Sequence, residues 1–253
     1  MNKIINQINS LIDEPPQICI VLGSGLDNFT KQLKNKSTLK YDSISGFLET
    51  RVEGHSGQFV YGYINSIPIL CAQGRFHYYE GHTFEDVGII IKLFHYYNSK
   101  KIIITNSSGC LRLDWEIGDF MLVNKFIDFS FINSNKPKTY LVNESLDDNI
   151  NIRKGTYTYT IGPTYETKAE IEEIINLGGD AVGMSTFPEY LMCKKLGISP
   201  IIISCLTNYG AGLVKKEVLH EDVLKNAENV KLKFSSLIKK IIQNTELQKR
   251  EKI

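Results

Sequence analysis

Residues 161–208, IGPTYETKAEIEEIINLGGDAVGMSTFPEYLMCKKLGISPIIISCLTN, alternate helical periodicity with short strand-like runs, and their polar residues fall at the seams. Gly162-Pro163 breaks the chain. Tyr165-Glu166-Thr167 then opens an amphipathic helix with Ile171, Ile174, Ile175 and Leu177 at helical spacing. Gly178-Gly179 ends it, and Ala181-Val182-Gly183-Met184 reads as a short buried strand. Ser185 or Thr186 caps the next helix, with Pro188 and Glu189 in its first turn. Pro200 to Leu206 is a second buried strand ending in Thr207-Asn208. This alternation restricts the chain to an α/β fold, in which ligands sit at the carboxyl ends of strands. Met184, Ser185, Thr207 and Asn208 then share one rim, with Glu166 at a helix start nearby. Taken alone, the same residues also suit the caps and turns of an ordinary βαβ unit.

The bulk numbers narrow the partners. The 29 basic and 28 acidic residues nearly cancel, which argues against a nucleic-acid partner that would require a basic face. No apolar run approaches the length of a membrane span. The stretch MNKIINQINSLIDEPP lacks the apolar core of a signal peptide. Cys19, Cys71, Cys110, Cys193 and Cys205 are odd in number, form no CxxC pair and mostly lie in apolar runs. They read as reduced core residues of a cytoplasmic protein. The five histidines are scattered and show no metal-ligand spacing. The chain of 253 residues carries no internal repeat or linker, so one domain over 1–253 is expected.

In chain order, residues 2–12 predict a short amphipathic helix stopped by Pro15-Pro16, and Gln17–Leu22 a compact strand. Gly23-Ser24-Gly25-Leu26 follows, a turn that can aim backbone N–H groups and the Ser24 hydroxyl at an anion. Asn28 stands where a dinucleotide fingerprint needs its third glycine, and no Gly-Lys-Ser/Thr is present, so both common nucleotide motifs are excluded. A plain strand-to-helix turn fits as well. Gly46 to Gly74 reads as consecutive strands, with Gly54-His55-Ser56-Gly57 at a turn tip. In Gly74-Arg75-Phe76-His77-Tyr78-Tyr79-Glu80-Gly81, extended chain would put Arg75, His77 and Tyr79 on one face, where Arg75 offers a donor fork suited to phosphate. A polar edge strand has the same pattern.

Thr83–Tyr97 predicts one helix, and Lys101–Thr105 a buried strand ending in Asn106-Ser107-Ser108-Gly109. Gly118–Phe131 predicts two short strands, and residues 132–154 a polar loop poor in strand. Tyr209-Gly210-Ala211-Gly212 reads as flexible. His220 precedes Glu221-Asp222 and suits a helix start, with one long helix running on to Ile242 and a frayed charged tail beyond.

Gly-Pro-Thr-Tyr-Glu-Thr (162–167), the ungapped run 178–189 (GGDAVGMSTFPE) and Thr207-Asn208 resemble the trimeric class of purine nucleoside phosphorylases. The resemblance extends from about residue 17 to residue 235 and includes the Gly-Ser-Gly-Leu, Gly-His-x-Gly and Gly-Arg-x-His-x-Tyr-Glu-Gly blocks. It implies one α/β domain, a central mixed β-sheet flanked by helices. By the same resemblance, phosphate is held by Ser24, His55, Arg75, His77, Ser107 and Ser185. The nucleoside is held by Tyr79, Ser108, Tyr165, Glu166, Val182, Met184, Thr207, Asn208 and His220. Asn208, Glu166 and His77 carry the catalysis. Glu166 would accept from purine N1–H, and the Asn208 amide would bond N7 and O6. No metal or cofactor is implied, because inorganic phosphate is the co-substrate. A homotrimer is implied, with Phe129, Phe131 and Tyr140 as candidates to complete a neighbour's site. The chain departs from the family at 132–154, where relatives carry a longer segment.

The implied reaction is phosphorolysis of inosine and guanosine to free base and ribose 1-phosphate, through an oxocarbenium-like transition state. An Asn at 208 suits a 6-oxo group, whereas a carboxylate there would demand the 6-amino group of adenine. Two alternatives are a methylthioadenosine phosphorylase and a nucleoside- or phosphate-binding protein without turnover.

Overall fold

Ile18–Leu22 is buried at every position, because its two faces feed two different cores: Ile18, Ile20 and Leu22 point to one, Cys19 and Val21 to the other. Period-two alternation of side chains with apolar residues on both faces demands a cover on each side. The computed structural model describes residues 1–48, 56–143, 146, 150–214 and 220–250. Its strands are β1 (Ile18–Leu22), β2 (Lys34–Lys40), β3 (Gln58–Ile64), β4 (Ile67–Gln73), β5 (Lys101–Cys110), β6 (Phe120–Asp128), β7 (Lys138–Leu141), β8 (Arg153–Tyr159), β9 (Ala181–Gly183) and β10 (Ile201–Tyr209). Its α-helices are α1 (Asn2–Asn9), α2 (Phe84–Val87), α3 (Ile89–Tyr96), α4 (Lys168–Asn176), α5 (Phe187–Lys195), α6 (His220–Asn229) and α7 (Lys231–Arg250).

The strands form one mixed sheet flanked by helices. β1 lies parallel between β4 and β5, and the sheet runs outward through β3 to β2 by antiparallel pairs. On the other side β5 pairs with both β9 and β10. β10 pairs with β6, β6 with β8, and β8 with β9, so five strands close into a ring. β7 adds to β6 as a side strand. Helices α1, α3 and α5 bury Ile4, Ile8, Ile91, Phe94 and Phe187 against one face, while α7 lays Phe234, Ile238, Ile241 and Ile242 on the other. At roughly 25 cal/mol per Å² of apolar area, these two layers supply the main favourable term of folding.

Several elements differ from expectation. β5 runs straight through Asn106-Ser107-Ser108-Gly109 instead of ending before it, held by β10 alongside from Ile201↔Ile103 to Tyr209↔Cys110. The helix expected over Thr83–Tyr97 is interrupted at Gly88, where Met192 of α5 packs. Residues 120–128 form one strand rather than two, and the segment read as loop contains β7 and the start of β8. β2, exposed at almost every position, carries no apolar signal to predict it. The helix expected from His220 to Ile242 divides at Val230. Asn226 Nδ2 ties α6 to the carbonyl of Thr207 at 2.7 Å, while α7 runs to Arg250 and packs on the sheet through Phe234 to Ile242. Ile175 and Leu177, read on the apolar stripe of α4, are more than a third exposed, and only Ile171 and Ile174 are buried.

Candidate active site

The carboxyl ends of β1, β5, β9 and β10 open into one cleft. Ser24 comes from the turn after β1. Arg75, His77 and Tyr79 come from the segment after β4, and Ser107 and Ser108 from β5. Tyr165 and Glu166 precede α4. Val182, Met184 and Ser185 come from β9 and its continuation, and Thr207 and Asn208 from β10. These thirteen are all the sequence-selected site residues but two. His55 lies outside the described residues. His220 opens α6, and its side chain is likewise outside them.

One half of the cleft is a set of donors. Gly23 has no Cβ because one would come within 2.7 Å of the Cα of Asn106, so the turn after β1 lies directly against β5. That contact lets Ser107 Oγ donate to the carbonyl of Ser24 at 2.8 Å. Arg75 is almost wholly buried. Its Nη1 donates to Ser185 Oγ at 3.1 Å and Thr186 Oγ1 at 3.2 Å, and its Nε lies 3.2 Å from Glu189 Oε1. That last contact is an ion pair with the N–H poorly aimed at the oxygen. Arg75 Nη2 has no hydrogen-bond partner. A buried guanidinium with an unspent nitrogen, on the wall of a cleft, is built to receive an anion. Burial pushes the Glu189 carboxyl up, and Arg75 opposes that shift.

His77 is not part of an extended strand. A 3₁₀ turn over Tyr78–Glu80 follows it, and Glu80 Oε1 meets both its N–H, at 2.8 Å, and its Nδ1, at 3.0 Å. Arg75, His77 and Tyr79 nonetheless reach one cleft, and the His77 ring stacks on Tyr79 at 4.8 Å. Burial lowers the His77 pKa below the ordinary histidine value, so the ring is neutral around pH 7. With Nδ1–H donated to Glu80, Nε2 is the acceptor nitrogen.

Thr186 occupies the N-cap position of α5 without capping it. Its φ of 73° and ψ of −39° put a β-branched residue in a strained turn, closed by Phe187 N–H donating to Ser185 C=O at 2.8 Å. The Thr186 hydroxyl is fully buried and accepts from Arg75 and, at 3.0 Å, from Asn106 Nδ2. Asn106 Oδ1 in turn accepts from Ser204 Oγ at 2.6 Å, and Ser204 meets Ser108 at 2.6 Å. A buried polar chain thus runs beneath the cleft floor.

The other half presents a carboxylate and an amide. Glu166 is mostly buried, which raises its pKa, while Thr160 Oγ1 donates to its Oε1 at 2.7 Å and opposes the shift. Asn208 Oδ1 accepts from Thr207 Oγ1 at 3.1 Å, and its Nδ2 donates to the Tyr209 carbonyl at 3.0 Å. An amide nitrogen has two hydrogens, so one remains for a ligand. Val182 and Met184 form the apolar wall between the halves. Among the described residues no group of three or more His, Cys, Asp or Glu side chains could hold a metal ion.

Sequence reasoning missed the supports: Thr160, Asn106, Thr186 and Glu189 in its ion-pair role. Glu189 did carry a signal. It sits among Phe187, Pro188, Tyr190, Met192 and Cys193, all buried, on a helix with no polar face toward that side.

Arginine, histidine and serines in one half of the cleft, and a carboxylate and an amide in the other, at the rim of a mixed α/β sheet, agree with the chain's relationships to known proteins. Residues 17–243 match the model of the phosphorylase superfamily, and the chain belongs to that family. Within it, the chain groups with the purine nucleoside phosphorylases. It is 33% identical to purine nucleoside phosphorylase 1 of Geobacillus stearothermophilus, over 90% of this chain and 91% of that one. It is 34% identical to purine nucleoside phosphorylase 1 of Bacillus subtilis, over 94% and 96%. Among solved structures, the Schistosoma mansoni purine nucleoside phosphorylase in complex with inosine superposes with a TM-score of 0.81 at 27% identity, covering 95% of this chain and 94% of that one. The same enzyme in complex with adenosine gives 0.82 at 26% identity, covering 95% of each.

Proposed function

We propose that the chain catalyses reversible phosphorolysis of 6-oxopurine nucleosides, inosine and guanosine, to free base and ribose 1-phosphate. The observation that carries this is one cleft lined by Arg75 together with Glu166 and Asn208. Phosphate would lie among Ser24, Arg75, His77, Ser107 and Ser185, with His55 completing the set. Neutral His77 would accept from the protonated oxygen of hydrogen phosphate through Nε2. The sugar would lie against Met184, Tyr79 and Ser108, with His220 at its 5′ end, and the base between Tyr165 and Val182.

As the glycosidic bond stretches, positive charge grows on the ribose and negative charge on the purine. Phosphate oxygens stabilise the first. For the second, the remaining Asn208 Nδ2 hydrogen would donate toward O6 and N7, and Glu166 would hold N1–H. Donors placed where charge develops act most strongly in the transition state. The remaining Nδ2 hydrogen of Asn208 is a donor suited to a 6-oxo group. Phosphate is a co-substrate, and this chemistry requires neither metal nor cofactor.

Five free, buried cysteines support a reducing compartment such as the cytoplasm. No helix among the described residues is long and apolar enough to cross a membrane. A homotrimer is the expected assembly, supported by exposed Phe131, Ile132 and Tyr165.

The test is release of free base from inosine, guanosine, adenosine and methylthioadenosine, each with and without phosphate. Phosphate-dependent release from the first two is expected. Preference for adenosine or methylthioadenosine overturns the assignment, release without phosphate makes the chain a hydrolase, and no release makes it a binder.

A further inference from the structure

Thr160 stands one residue past β8, and Glu166 six residues further on. Between them the chain doubles back at Gly162, whose φ is +73° and whose Cβ, if present, would fall 2.5 Å from the sulfur of Met184 and 2.9 Å from the Tyr79 ring. The loop is therefore pressed onto two residues of the cleft wall. Thr160 is its fixed end: its N–H donates to the carbonyl of Gly183 on β9 at 3.0 Å. Its hydroxyl lies 2.7 Å from Glu166 Oε1 and 3.5 Å from the same Gly183 carbonyl. A hydroxyl has one hydrogen, and the shorter, charge-assisted bond to the carboxylate takes it.

Thr160 is 8% exposed and does not line the cleft, so its hydroxyl lies behind Glu166 and not beside a ligand. Thr158, two residues earlier on the same side of β8, has no hydrogen-bond partner for its hydroxyl. A threonine on this side of the strand is thus not in itself a hydrogen-bonding device. The partner at 160 is specific to Glu166. The other ionisable groups near that carboxylate are Glu170 of α4, Tyr157 of β8 and Tyr165 of the same loop, and none of them donates to it. Among the described residues, Thr160 is its donor apart from the backbone N–H of Glu166 itself.

We propose that Thr160 is a positioning residue for the phosphorolysis, anchoring the Glu166 carboxylate to the β8–β9 end of the sheet in the orientation from which it accepts the purine ring N–H. The proposal rests on the role of Glu166 given above. Without the hydroxyl, the carboxylate gains rotamers and loses its donor, while burial still disfavours its charge. Its titration then moves to higher pH, and nucleoside binding weakens while phosphate binding does not.

Three variants test this. Thr160→Val keeps the shape and removes the donor, Thr160→Ser keeps the donor, and Thr160→Cys offers a weaker one should the valine chain not fold. For Thr160→Val the expected result is about a ten-fold rise in the KM for inosine, as loss of one hydrogen bond to a charged group implies. The KM for phosphate should be unchanged and the acid limb of kcat/KM shifted upward in pH. Thr160→Ser should restore all three. Independently of turnover, ¹³C NMR follows the Glu166 carboxyl, assigned by its absence in Glu166→Gln, and its midpoint should rise in the valine variant and return in the serine one. A folded valine variant with the wild-type KM and titration overturns the role of Thr160. A shifted midpoint in a chain that releases no base from inosine would instead overturn the function assigned to the cleft while leaving the local contact in place.

Discussion

Arg75 shows why a single side chain can be both a ligand and a structural risk. Its guanidinium and the carboxylate of Glu189 are both buried, and removing one partner strands the other charge. Arg75→Met should therefore abolish phosphate-dependent turnover and also cost about 3–5 kcal/mol of stability. Pairing it with Glu189→Gln should recover most of the stability and none of the activity. Denaturant unfolding of the two chains separates these effects; equal stability in single and double variants would mean the pair carries no such penalty. Contact residues were legible in the sequence because a ligand-facing position restricts residue type over short spans, as in Gly74-Arg75-x-His77-x-Tyr79. The supports were not, because their partners lie far along the chain. Glu189 answers to Arg75, and Asn106 to Thr186 and Ser204. Reading Glu189 as a first-turn acid of α5 was correct in position and incomplete in role.

Among elements, the glycine-kinked loop between β8 and α4 does the most to shape the cleft. A side chain at 162 would force both a left-handed backbone and a collision with Met184. Gly162→Ala should fold, since Met184 can swing aside, but with the wall of the cleft displaced. We expect kcat/KM for inosine to fall by at least ten-fold, with circular dichroism unchanged; full activity would show that the loop tolerates the shift. β1, β9 and β10 were legible because their apolar runs matched their burial, and α4 was legible as a helix although only half of its expected stripe is buried; Thr167 donates and accepts in a capping box with Glu170 at its start. β8 escaped because Arg-Lys-Gly-Thr-Tyr-Thr-Tyr buries its tyrosines in one core and its threonines as well, on the other side, and such a run reads as polar rather than as a strand buried on both faces. β5 was cut short for a related reason. Its last four residues are small and polar, yet β10 supplies their backbone partners, and that pairing across about 100 residues has no local signature.

For the molecule as a whole, the ring of β5, β10, β6, β8 and β9 surrounds one side of the cleft and gives Val182, Thr207 and Asn208 a frame without a free edge on that side. Phe131 is about half exposed and packs on the partly buried Phe129 at 4.9 Å, and this is the face we expect to be covered by another copy. Sedimentation should then give a mass three times 28.7 kDa, and Phe131→Glu should lower it. A monomeric wild type would rule out the assembly while leaving the cleft intact. At the opposite end of the sheet, β2 offers its outer backbone to solvent, and it does so with Lys34, Lys36 and Lys40 along a segment that buries almost nothing. Clustered like charges on such a border repel any incoming ribbon that would extend the hydrogen-bond ladder. A border of this kind discourages edge-to-edge pairing, which leaves contact between copies to the Phe131 face, where we expect it.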